Sequence, residues 1–536
     1  MMQSFKQSKK LLYFSLKREK IKLLFWLTGC LSFVLIGIIA FVFIYDDPID
    51  RQAMVGAMSN PAMEALFGKV IGIDNYTIGA MYSHTMTVMT LSLISISAIL
   101  LVVRNTRLEE EEGMIEVFRA LPTGKLAHTT SAMTLLAIYN IILAVLSTII
   151  LIAFGDNSMD VNGAVLTGVI YGLVGIFYGS VALLFSQLSS SSRNATMYSL
   201  LFLGLTYLMR IIGDTGIEWL SWMSPLGLLY RTKPFVTNDW MPVLLILIGT
   251  FLFISIAFVL QNYRDLGSGL LPSKAGNRSA SKLLKTVPGL ALNLLKTPLL
   301  IWTLSLIVLG VTYGSVMGDL ETLIAGNEVI GKIIENNPEQ NIVKQFIAII
   351  LGLLSIATVI PVVQILMKLY SEEKKGRSVY LLVGKHSRNY VLGVFVALSF
   401  LSSLLLQTAQ VTTFALAVMT TQVKGVVFTD ILLSGLAYLP ALWTMIGLVV
   451  LLFGWLPRMI FSTWILLGFS FVILYFSNLF DIPEWLKGIS PFYHVPDVLA
   501  GEMGFISLFV LLILGILFSF IGFIGFIGFN KRDSIT

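Results

Sequence analysis

Four adjacent glutamates, Glu109, Glu110, Glu111 and Glu112, followed by Gly113, stand between two apolar stretches in RLEEEEGMIEVF. Glu372, Glu373 and Gly376 repeat the pattern in YSEEKKGRSVYL, 263 positions later. Carboxylates this dense can hold a metal, meet the donors of a partner, or keep a loop in water. Metal binding fits poorly, because successive helical residues point about 100° apart and no histidine lies beside them. A solvated loop needs no fixed length and no glycine, yet both copies keep Glu-Glu-x-x-Gly. That regularity favours a docking element whose charge-assisted hydrogen bonds engage another chain.

The other reactive side chains give no catalytic constellation. His84, His128, His386 and His494 lack the i, i+4 spacing of a zinc site, and no G-x-S-x-G elbow is present. Cys30 is the single cysteine, which excludes an internal disulfide framework and a cysteine-based metal site. The nearest approach to a nucleotide loop is GNEVIGKI, residues 326–333. It ends in isoleucine where a Ser or Thr hydroxyl would hold magnesium, and it falls in an expected outer loop. The chain is therefore expected to be no enzyme and to bind no cofactor or metal itself.

The elements that position these residues are membrane helices. Of the 536 residues, 56% are hydrophobic and 12% charged, and the mean hydropathy is +0.86, outside the range of a water-soluble domain. Apolar runs near 20 residues, enough to cross about 30 Å of hydrocarbon, recur at 24–44, 85–103, 127–153, 163–185, 195–212 and 241–260. They continue at 299–317, 343–367, 391–420, 431–455, 459–477 and 504–528. About twelve spans result, and the first, long and without a cleavage site, is expected to be retained.

Basic residues resist translocation. Lys6, Lys9, Lys10, Lys17, Arg18, Lys20 and Lys22, the loop with Arg104 to Lys125, the linker from Arg264 to Lys296, Lys368 to Arg388, and Lys531 with Arg532 then lie inside. Both termini are expected in the cytoplasm, and the formal charge of +6 reports this placement, not nucleic-acid binding.

Repeats divide the chain. EWLSWMSPLGLLYR precedes the sixth run as EWLKGISPFYHVP precedes the twelfth, aligning Trp219 with Trp485, Ser224 with Ser490 and Pro225 with Pro491. NYRDLGS and NKRDSIT follow those runs. The chain reads as two six-span halves in parallel orientation, 1–266 and 299–536, with a linker region at 267–298. Such a duplication places substrate paths between halves, making a transporter the leading class. None of the twelve runs contains Asp or Glu, so a proton relay is disfavoured. ATP, hydrolysed by a separate polypeptide, is the better drive. A channel or ATP-independent transporter is the competing reading.

TRLEEEEGMIEVFRALPTGK, SNPAMEALFG, SPLGLLYRTKPF, RDLGSGLLP and SPFYHVPD, spread over nearly the whole chain, resemble the twelve-span permeases of ABC-type exporters of polyketide antibiotics. The resemblance implies an all-α membrane protein, a tandem of two ABC-2-like (type V exporter-like) units. Each unit would have an interfacial N-terminal helix, a coupling helix after the second span and a re-entrant segment before the sixth.

The coupling helices fall at 107–118 and 370–381, carrying Glu109, Glu110, Glu111, Glu112, Gly113, Glu372, Glu373, Gly376 and Arg377. The re-entrant segments fall at 217–235 and 483–497. Trp219, Trp222, Ser224, Pro225, Trp485, Ser490 and Pro491 would form an outer gate there, although tryptophans at that depth also serve simply as anchors. Phe5, Leu12 and Leu16, opposite Lys6, Lys10 and Lys17, suit either an interfacial helix or a basic flank of the first span. The implied partners are the lipid bilayer and two copies of a P-loop ABC ATPase holding ATP and Mg. The cargo would be a hydrophobic, drug-like compound exported across the plasma membrane, with lipid or peptide export as the alternative.

Overall fold

The computed structural model describes residues 2–45, 48–59, 61–265, 267–271, 279, 281–319, 342–379, 386–421, 423, 425–476, 483–496, 498–499 and 505–532. The GNEVIGKI stretch, Lys332, Lys424, residues 272–278 of the linker, residues 380–381, Asp497 and residue 504 lie outside the described residues.

All twelve apolar runs become helices. They are α1 (Ser8–Ile44), α2 (Ile78–Val103), α3 (Ala127–Phe154), α4 (Val161–Leu188), α5 (Ser192–Thr215) and α6 (Met241–Tyr263). They continue as α7 (Val287–Val316), α8 (Ile342–Lys374), α9 (Arg388–Thr420), α10 (Leu439–Trp455), α11 (Ser462–Phe476) and α12 (Phe505–Lys531). Among the described residues eleven are long and apolar enough to cross a membrane, counting α10 with the short helix Phe428–Leu436 before it; α11 is shorter. Side chains set the starts: Thr77, Asp160, Ser191, Thr286 and Ser387 each accept a backbone N–H one turn into the following helix. The 431–455 run is divided between two helices, and Pro440 opens the second of them.

Several helices outrun their apolar stretches. At 1.5 Å per residue, the 37 residues of α1 extend about 55 Å. Its basic N-terminal part is continuous with the span, so Leu12, Lys10 and Lys17 belong to one unbroken helix and not to a separate interfacial one. Asp214, beyond the expected end of the fifth span, is still helical in α5, so that helix carries a carboxylate after all.

The chain separates into two compact units, Met1–Gly276 and Asn277–Thr536. In the first, α4 is the hub, packed on α2, α3, α5 and α6. Gly168, Gly172, Gly175 and Gly179 form its contact ridge, where an added methyl would strike Thr148, Ala144, Asn140 and Leu136 of α3. Small residues let backbones approach where no hydrophobic force separates helix from lipid. In the second unit α7 packs on α9, and α10 on α8 and α12. Gly310 and Gly314 face Gln410 and Phe414 of α9, and Gly454 meets Gly525 of α12.

Candidate functional site

The site is the end of α2. Past Val103 the backbone widens into one π turn, Arg104–Leu108, a feature that often re-aims side chains at functional positions. A short helical turn, Glu109–Glu111, follows. Gly113, at φ +76°, then reverses the chain into the helix Met114–Arg119. The left-handed conformation is open to glycine without a Cβ penalty. Gly376, at φ +69°, stands two residues beyond the end of α8. The expected single helix over 107–118 is therefore broken at the glycine, and that over 370–381 stops at Lys374.

Successive carboxylates on a helical turn point in different directions, and here each reaches a different helix. Glu109 is buried and accepts hydrogen bonds from Arg18 of α1 and, at 2.7 Å, from His128 Nε2 of α3. Arg18 also meets Asn105, while Glu19, one residue on, receives Arg104 at 3.0 Å. Glu110 takes both arms of Arg264, just beyond α6, at 2.7 and 2.8 Å, together with the Gly267 N–H. Buried Arg107 adds a contact to Glu110 at 3.2 Å and holds the carbonyls of Ser190, Gly267 and Ser268. Glu111 accepts from the backbone N–H and hydroxyl of Ser192 at 2.7 and 2.5 Å, where negative charge suits the N-terminus of α5.

Three consecutive glutamates thus tie α1, α3, α5 and α6 to the end of α2. Glu112 remains exposed, as do Glu116, Val117, Arg119, Ala120 and Leu121. Between these groups lies a cavity of about 30 Å³, bordered by Glu110, Lys125, His128, Gln187 and Arg264. It has room for a water molecule or two, not for an organic cargo.

The second acidic motif repeats part of this arrangement. Glu373 is buried and takes both arms of Arg532, after α12, at 3.0 and 2.6 Å, with Arg388 of α9 at 3.7 Å. Arg532 stands in NKRDSIT as Arg264 stands in NYRDLGS. Glu372 is half-buried, paired with Lys368 at 2.8 Å and Arg377 at 3.5 Å, and Arg377 is exposed.

The repeated Glu-Glu-x-x-Gly alone points all these glutamates at a partner. The structure turns Glu109, Glu110 and Glu373 inward, because each has an arginine from a neighbouring helix within reach. Nothing in the local sequence around the motif marks Arg18, His128, Arg264 or Arg532 as its partners. The repeated N-x-R-D after the sixth and twelfth runs was the available signal.

The other candidate residues stand before α6 and α12. Trp219 and Trp222 lie on the helix Glu218–Met223 and are exposed, with Arg231 4.8 Å above the Trp222 ring. Ser224 is buried, caps the helix Pro225–Tyr230 through the Gly227 N–H, and donates to the Thr206 carbonyl at 2.6 Å. Pro225 takes the first helical position, where its missing N–H costs nothing. In the second unit Trp485 is exposed on Glu484–Lys487, Ser490 is buried, and Pro491 opens a 3₁₀ turn. Hydrogen bonds from Tyr493 and then Lys487 hold the exposed Glu484 carboxyl below its ordinary pKa.

Arg210, near the end of the fifth span, is fully buried. It pairs with Asp214 at 3.3 Å, holds the Ala65 carbonyl at 2.6 Å and stacks over Tyr207 at 4.7 Å. It thereby fixes the end of the helix Pro61–Phe67 against α5.

Residues 284–526 match a family described as the C-terminal domain of the multidrug efflux system permease Rv1217c. Over 510 residues, 94% of this chain and 91% of the relative, the sequence is 29% identical to the multidrug efflux system permease protein Rv1217c of Mycobacterium tuberculosis (strain ATCC 25618 / H37Rv). Eleven long apolar helices among the described residues make the chain a multi-pass membrane protein, and over nearly its full length it is similar to a multidrug efflux permease.

Proposed function

We propose that this permease exports amphipathic or hydrophobic drug-like compounds from the cell, driven by two copies of a separate ABC ATPase that hold ATP and Mg. The protein would lie in the plasma membrane with both termini in the cytoplasm. The observation that carries the drive mechanism is the set of spokes at the end of α2. Glu109, Glu110 and Glu111 bind four different helices, while Glu112 and the face of Met114–Arg119 stay exposed. An ATPase pushing on that face would displace α1, α3, α5 and α6 together. Docking thus falls to Glu112, Glu116, Val117 and Leu121, and the inward glutamates transmit. The second motif, with Glu372 and Arg377 outward and Glu373 inward, would receive the second ATPase copy. The outer short helices carrying Trp219, Trp222, Ser224, Pro225, Trp485, Ser490 and Pro491 would gate release.

The test is a permease carrying Val117→Asp with Leu121→Asp, both positions exposed. It should stay monodisperse and inserted, yet co-purify with one ATPase chain in place of two and lose ATP-dependent efflux of a hydrophobic dye. Normal efflux by this variant would refute docking at this loop.

A further inference from the structure

A groove of about 240 Å³ runs between α1 and α3. Leu16, Leu23, Leu24 and Leu27 line it from α1, and Leu135, Ile138, Tyr139 and Ile142 from α3. Lys20 is the one charged residue on its wall. These positions follow helical spacing, so Lys20 stands between Leu16 and the longer apolar strip that begins at Leu23, near the cytoplasmic end of the groove.

The depth of Lys20 is set by the sequence. From Leu23 to Ile44 no residue of α1 is charged, and Lys20 stands one turn before that run, where a long cationic side chain reaches headgroup level. Its surroundings are basic: Lys9, Lys10, Lys17 and Lys22 are exposed on the same helix. Glu19, the one acidic residue between Lys6 and Lys22, is buried and already meets Arg18, Lys22 and Arg104. Among the described residues no carboxylate lies within ion-pair distance of Lys20. An apolar trough with an uncompensated cation at its headgroup end is complementary to one class of ligand.

The geometry points to a binding site for an anionic phospholipid, one acyl chain lying in the α1–α3 groove and the phosphate against Lys20. A zwitterionic lipid would fill the same groove but gain less from the cation. The site touches the spoke system, because α1 and α3 are the two helices that Glu109 joins through Arg18 and His128. A bound lipid would therefore brace the pair that the acidic motif moves.

Native mass spectrometry of the purified full chain tests this, with phosphatidylglycerol and phosphatidylcholine of identical acyl chains added in parallel. The wild type should retain phosphatidylglycerol roughly fivefold better, the factor one near-surface lysine supplies. Lys20→Gln, at an exposed position, should erase that preference, and Ile138→Trp should lower retention of both lipids by filling the groove. Lys10→Gln, equally basic and on the same helix but away from the groove, should change nothing. The site is refuted if the wild type shows no preference, if Lys20→Gln keeps it, if Lys10→Gln erases it equally, or if Ile138→Trp binds both lipids normally.

Discussion

At the scale of single residues, the acidic knot is an internal junction with one outward edge. Glu110 and Arg264 are each almost wholly buried and meet through two parallel hydrogen bonds, the geometry that gives a guanidinium–carboxylate pair its strength. Removing Arg264 leaves the buried Glu110 carboxylate with only Arg107 and the Gly267 N–H. Arg264→Met is expected to destabilise the first unit by about 3–5 kcal/mol, seen as a lower melting temperature in detergent. The double variant with Glu110→Leu should recover much of the loss, and additive effects would show that the two residues do not interact. The motif was legible in the sequence because Glu-Glu-x-x-Gly recurs. Which carboxylates face inward was not, since that depends on where Arg18, His128, Arg264 and Arg532 arrive from distant segments. Position along a helical turn assigns each glutamate a direction, and only the packed bundle supplies what lies there.

At the scale of elements, the spans were legible because crossing hydrocarbon demands near-continuous apolarity. Their ends were not, because helices continue into polar sequence where ion pairs support them. Thus α1 begins at Ser8, α8 runs on to Lys374 and α5 retains Asp214 beside Arg210. The close approach of α3 and α4 rests on four glycines, and the space at Gly175 is already filled by the Asn140 side chain. Gly175→Ala is expected to cost about 1–3 kcal/mol through overpacking, against a small change for Gly204→Ala, where a methyl meets nothing within 4 Å. Thermal unfolding of the two purified variants compares them; equal melting temperatures would show that the ridge does not hold α3 to α4. The break at Gly113 is legible only in hindsight, since glycine ends a helix as readily as it sits within a loop.

At the scale of the whole molecule, each of the two units carries an acidic motif that ends in a left-handed glycine and an arginine, placed after the last span, that grips the motif's second glutamate. In the proposed assembly each motif receives one ATPase, and the inward ion pairs turn its stroke into movement of several helices. The most direct test is the mass of the complex purified from a membrane containing the permease and its ATPase, recorded by native mass spectrometry with ATP and Mg present. The account predicts one permease with two ATPase chains, falling to one ATPase chain in the Val117→Asp, Leu121→Asp variant. A permease that carries no ATPase while still exporting its cargo, or a variant that keeps both chains, would contradict it.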